Sequence, residues 1–101
     1  MVLIQILLPV HDNDRKLFDA GTLAAIHAEL AERFGGLTAY SRAPAQGTWA
    51  VAGTHALDDI VIVEVMTDTL DRGWWTAFRA RLEQTLRQQR IVIRAHVIEM
   101  I

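Results

Sequence analysis

"DDIVIVEVMTD", residues 58–68, is the most sheet-like run in the chain, and one carboxylate, Glu64, stands among its apolar β-formers. Strand side chains alternate between two faces. Val61, Val63 and Val65 therefore share one face, and Ile60, Ile62, Glu64 and Met66 share the other. One face is cleanly apolar and one is mixed. A strand of this kind packs one side against a core and turns the other side away from it.

The same split recurs in the other sheet-forming runs. In "VLIQILL", residues 2–8, Ile4, Ile6 and Leu8 oppose Leu3, Gln5 and Leu7. In "LTAYSR", residues 37–42, Leu37, Ala39 and Ser41 oppose Thr38, Tyr40 and Arg42. In "RIVIRAHVIEMI", residues 90–101, Ile91, Ile93, Ala95 and Val97 oppose Val92, Arg94, His96, Ile98 and Met100. Pro9 closes the first strand, because proline cannot donate to a sheet ladder.

Two helices separate these strands. Leu23, Ile26, Leu30 and Phe34 recur at three- and four-residue spacing, which predicts a helix over about 18–34 with one apolar stripe. Asp19 or Thr22 supplies its N-cap, and Gly35-Gly36 stops it. Trp75, Phe78, Leu82 and Leu86 make the stripe of a second helix over about 70–89, with Trp74 at the stripe's edge and Asp68 or Thr69 as cap. Residues 43–58 form a long connection containing Pro44, Gly47 and Gly53, and "TWAV" within it predicts a short extra strand and hence a hairpin arm.

The order is strand, helix, strand, arm, strand, helix, strand. Two split βαβ units in series predict an α+β, ferredoxin-like sandwich: a four-stranded antiparallel sheet with two helices on one face. The first strand and the Glu64 strand take the centre. The last strand flanks the first, and "LTAYSR" flanks the Glu64 strand. A length of 101 residues suits a single domain spanning 1–101.

With the clean faces under the helices, the mixed faces lie together. They predict a polar row across the sheet: Arg94 and His96, then Gln5, then Glu64, then Thr38 and Tyr40, with Arg42 near the rim. Around it lie Leu3, Leu7, Ile60, Ile62, Met66, Val92, Ile98 and Met100. An apolar surface on the order of several hundred Å² is more than soluble monomers leave bare. A second copy packed through the sheet is the expected partner. An acid enclosed there needs a partner, and Arg94, Arg42 and His96 are the available ones.

Two readings of Glu64 follow. It is an interface residue fixing register, or it is a carboxylate in a ligand cleft, acting as proton acceptor or anchor. Glu64 and His96 are thus the candidate catalytic residues. Gln5, Tyr40, Arg42, Trp49 and Arg94 are the candidate ligand contacts, with Trp49 either closing over a ligand or pinning the arm. The leading expectation is a homo-oligomeric binding or regulatory module. The alternative is a small cofactor-independent enzyme acting on a small organic acid or aromatic compound, with Arg94 or Arg42 holding its negative charge.

Other classes are disfavoured. The chain has no cysteine, which removes disulfides, thiolate metal sites and cysteine nucleophiles, and favours the cytoplasm. A net charge of −2 gives no pull toward nucleic acid or anionic lipid. No apolar run nears the ~20 residues of a membrane span. "HDND", residues 11–14, lacks the oxygen ligands and turn glycine of a hard-metal loop and reads as a solvated turn. His27 has no partner four residues away, and His55 lies in the long connection. Neither a metal nor a cofactor is expected. Arg72, Arg79, Arg81, Arg87 and Arg90 crowd the second helix, where Glu83 and Arg87 predict an i,i+4 pair.

"ERFGGLTAYSRAPAQGTW", "VIVEVMTD", "DRGWW" and "RQQRIVIRAH" together resemble a small uncharacterised bacterial family of about this length, over most of the chain from Phe34 onward. That resemblance implies no activity and assigns no catalytic residues. More loosely, the layout is similar to the dimeric α+β barrel proteins, which pair two ferredoxin-like sheets. That group includes cofactor-free monooxygenases, isomerases and non-catalytic binding domains, so the fold alone does not choose a function.

Overall fold

A computed structural model describes the backbone of residues 1–51 and 54–101 and the side chains of residues 1–40 and 60–101. The elements run β1 (Val2–Pro9), α1 (Ala20–Phe34), β2 (Thr38–Val51), β3 (Thr54–Thr67), α2 (Arg72–Thr85) and β4 (Val92–Val97). The four strands form one antiparallel sheet in the order β2-β3-β1-β4. This is the ferredoxin-like arrangement expected from the alternation.

Both helices cover one face of that sheet. Ile4, Ile6 and Leu8 from β1 and Val63 and Val65 from β3 form a continuous core with Ile26 and Leu30 from α1 and Trp75, Phe78 and Leu82 from α2. Leu86 and Ile91 close it where the chain passes from α2 to β4. Among the described residues, no polar or charged side chain is buried. Each fully buried large aliphatic or aromatic side chain contributes roughly 1.5–3 kcal/mol, so this layer carries most of the fold's stability.

The helix ends are set by local chemistry. The Asp19 carboxylate accepts from the Gly21 amide and caps α1. Gly35, at φ 78°, ends it in the left-handed conformation that a side chain would strain. Helix α2 starts later than the sequence suggests. Its cap is Asp71, which accepts from the Trp74 amide at 3.0 Å, and neither Asp68 nor Thr69 serves. It also stops earlier, at Thr85. Arg87 follows it with a φ of 54° and Arg90 lies beyond, so the expected Glu83–Arg87 helical pair has no helix to form on. The Glu83 carboxylate instead accepts from the Ile91 amide at 2.9 Å and steers the chain into β4.

Ionic, aromatic and cation–π contacts tie the helices together. Arg81 donates to both carboxylate oxygens of Glu29, at 2.8 and 2.6 Å. Phe34 stacks on Trp75 and meets Trp74 edge-on, with centroids 5.2 and 5.3 Å apart. The Arg33 guanidinium lies over Trp74, 4.4 Å from the ring centroid.

The arm is larger than "TWAV" alone implied. Strand β2 pairs with β3 from Val51↔Thr54 inward, then shifts register between Tyr40 and Ala45. Pairing skips residues 41–44 there, and Pro44, which has no amide hydrogen to give a ladder, falls in that irregular stretch.

Cover also fails along β4. Ile91 is buried and Ile93 half-buried, but Ala95 is exposed and Val97 is 88% exposed. The clean face of the last strand is therefore not sheltered by the helices to its end, contrary to the simple parity expectation. Among the described residues, no helix is long and apolar enough to cross a membrane.

Candidate functional site

The open side of the sheet carries the mixed faces. Register puts Gln5 opposite Glu64 on β3 and opposite Arg94 on β4, while Thr38 on β2 stands opposite Glu64 from the other side. Four strands thus bring one polar position each into a line across the sheet. Strands are spaced about 4.8 Å apart, so Arg94 and Glu64 sit roughly 10 Å apart with Gln5 between them.

Gln5 joins the two ends. Its side-chain Nε2 donates to Glu64 Oε2 at 2.7 Å. Its Oε1 accepts from Arg94 Nε at 2.7 Å. His96 Nε2 stands 3.3 Å from the same oxygen. An amide oxygen only accepts, so this contact selects the tautomer with hydrogen on Nε2. Tyr40 completes the line, donating its hydroxyl to Glu64 Oε1 at 3.2 Å. Each carboxylate oxygen of Glu64 therefore has its own donor, and these fix the orientation of the group.

Among the described residues, Glu64 takes neither Arg94 nor His96 as a direct partner. Gln5 and Tyr40 hold it, and the Arg94 cation reaches it only through Gln5. The spacing explains this, since a two-strand gap is too wide for a direct ion pair. Glu64 and Gln5 are half-buried, whereas Tyr40, Arg94 and His96 are exposed. Tyr40 feels the arrangement most. Its hydroxyl is held above the usual tyrosine range, first by the hydrogen bond to Glu64 and then by that carboxylate's negative charge.

The surroundings are apolar. Leu3, Leu7, Ile60, Ile62, Val92 and Ile98 are half-buried, and Met66 and Met100 are exposed. The side chains of Arg42 and Trp49 lie outside the described residues. Arg42 falls in the unpaired stretch of β2, and Trp49 stands opposite Ala56 in the arm. What sequence reasoning missed is the double role of Gln5. Its signal lay in the pattern: one amide between an acid and a cation on adjacent strands, matched in register.

"HDND" serves a turn. Asp12 accepts from the amides of Asp14 and Lys16, at 2.8 and 2.9 Å, and Asn13 donates to the Arg87 carbonyl.

No protein-family model and no curated protein matches the chain. Solved structures do. A phage SAM lyase in complex with S-methyl-5'-thioadenosine superposes with a TM-score of 0.64, covering 94% of this chain and 79% of that one at 12% identity. A phage SAM lyase in its apo state gives a TM-score of 0.62, with 94% and 78% covered at 11% identity. At such identities the likeness establishes a shared fold and no more.

Proposed function

We propose that this chain is a cytoplasmic homo-oligomeric module that binds a small molecule, using the open sheet face both as subunit contact and as cleft. The observation that carries the reading is the hydrogen-bonded line Arg94–Gln5–Glu64–Tyr40 inside an apolar frame that no helix covers. Polar groups so fully joined and oriented make a preorganised surface for a ligand. The line is also charge-ordered, with cations at one end and an acid toward the other. A two-fold axis along β1 between two facing sheets reverses that order. It stands Arg94 of one copy over Glu64 of the other, a complementary pairing for a closed dimer. A chain without cysteine suits a reducing compartment.

Light scattering across a concentration series tests the assembly, with Glu64→Gln as the informative variant. A dimer weakened by the variant supports the stacked arrangement. An intact dimer that loses a ligand supports the cleft. A lone chain at all concentrations removes the subunit contact.

A second reading has its own observation. Two donors aim the Glu64 carboxylate while one side of it stays open, a geometry suited to accepting a proton. Glu64 or His96 would then move the proton, and Arg94 or Arg42 would hold the substrate's charge. The fold's likeness to a SAM lyase makes SAM the first substrate to try. Formation of S-methyl-5'-thioadenosine that disappears in Glu64→Gln would favour the enzyme. No turnover by a protein that still binds the nucleoside would favour the module.

A further inference from the structure

A separate cavity of about 490 Å³ lies on the helix side of the sheet, between α2 and the exposed end of β4. One wall is a single face of α2. Arg72, Trp75, Thr76 and Arg79 follow at i, i+3, i+4 and i+7, the spacing that stacks side chains along a helix. The floor is Ile93, Ala95 and Val97 from β4, with Val2 beside them from β1, and Arg94 and His96 of β4 also border it, Arg94 already donating to Gln5. It is open because β4 outruns its helical cover, which leaves Val97 88% exposed.

The charges here are unspent. Among the described residues, the ion pairs of the arginines on and beside the helices are Arg33–Asp71 and Arg81–Glu29. Arg72 and Arg79 have no hydrogen-bond or acidic partner there. Two turns of helix separate them, about 10.5 Å along the axis. An apolar floor with guanidinium forks at its rim suits a ligand with a hydrocarbon body and an oxyanion on it. We infer that this cavity binds an organic carboxylate with an aromatic or otherwise apolar body, its carboxylate taken by Arg72 or Arg79 and its body laid on Ile93, Ala95 and Val97. The spacing of the arginines also admits a dicarboxylate spanning both. A carboxylate matches a single planar fork bidentately, which is what each isolated arginine offers. The site lies on the other side of the sheet from Glu64, and Arg94 and His96, which border it along β4, belong to both.

The test is an amide-resolved NMR titration of the full chain with 2-naphthoate, naphthalene-2,6-dicarboxylate and neutral 2-naphthamide. Shifts should centre on the Trp75 indole, Thr76 and residues 93–97. The neutral amide should bind about tenfold more weakly, as should either acid to an Arg72→Gln/Arg79→Gln variant. Arg15→Gln should leave the affinity unchanged. Equal affinity for acid and amide would overturn the inference. So would full affinity in the double arginine variant, or shifts confined to Leu3, Leu7 and Ile62 on the opposite face. Both arginines are exposed, so the double variant is expected to fold, and its amide spectrum away from α2 reports whether it has.

Discussion

Ile6 and Leu7 are bonded neighbours on β1, yet Ile6 is fully sealed under the helices while Leu7 lies half-buried on the open side. The two faces they represent are built on different principles. Beneath the helices the packing is wholly apolar among the described residues, and shape alone holds it together. On the far side, apolar side chains frame a hydrogen-bonded polar line whose members depend on one another. The first face specifies that the chain folds. The second presents joined polar groups toward the open side.

Matched substitutions break the comparison most directly. Ile6→Ala should cost about 2–5 kcal/mol, because it leaves a cavity in close-packed surroundings. Leu7→Ala should cost less than about 1 kcal/mol in a lone chain, since water and neighbours already reach the site. Urea midpoints of the two variants measure the difference. If the open face closes against a second copy, the Leu7→Ala penalty grows with protein concentration while that of Ile6→Ala does not.

Gln5 tests the polar line itself. Gln5→Ala should cost about 1–2 kcal/mol by the same measurement, because Arg94, His96 and Glu64 lose their shared partner at once. Double-mutant cycles with Glu64→Gln should show coupling, whereas cycles between Gln5 and Phe78, on opposite faces, should be additive.

Tyr40 sharpens the contrast through pH. It is the single tyrosine of the chain, so phenolate absorbance reports it alone. Its raised pKa means that the bond to Glu64 is present at neutral pH and is lost only as pH rises through the elevated value. The absorbance midpoint should lie above that of free tyrosine and should fall back in Glu64→Gln.

The smallest effect belongs to the bridge between the helices. Arg81 lowers the Glu29 pKa through its hydrogen bonds, so the pair stabilises the fold above the ordinary glutamate range and ceases to as pH falls through the lowered value. Both groups are substantially exposed, and water screens them. Glu29→Gln should cost only a few tenths of a kcal/mol at neutral pH and nothing in acid, read from urea midpoints at both.

Strand alternation was enough to read the two faces of β1 and β3, because period-two patterning is a property of each strand alone, and the order of the elements predicted the strand order. Gly35 was legible as the end of α1, while its start was narrowed to Asp19 or Thr22, of which Asp19 is the cap. The start of α2 was not, since Asp68, Thr69 and Asp71 are all residues that cap. Its end was not, since Leu86 continues the apolar stripe although the helix has already stopped at Thr85. The bare end of β4 was hidden as well. Ala95 and Val97 look like core positions, and only the placement of α2 shows that nothing lies over them. Gln5 looked like one polar residue among several, because its value depends on register with two other strands.

The Ile98 amide donates to the Met1 carbonyl at 3.0 Å, and Val2 stands opposite Val97. Both ends of the described chain therefore leave the sheet at one corner, next to Val2 and Val97, which line the cavity beside α2. A purification tag fused at either end would start within a few residues of Val2 or Val97, which line that cavity together with Arg72 and Arg79. An acidic tag such as the FLAG type would compete for those two guanidiniums, so affinity measurements on this protein belong on material from which every tag has been cleaved.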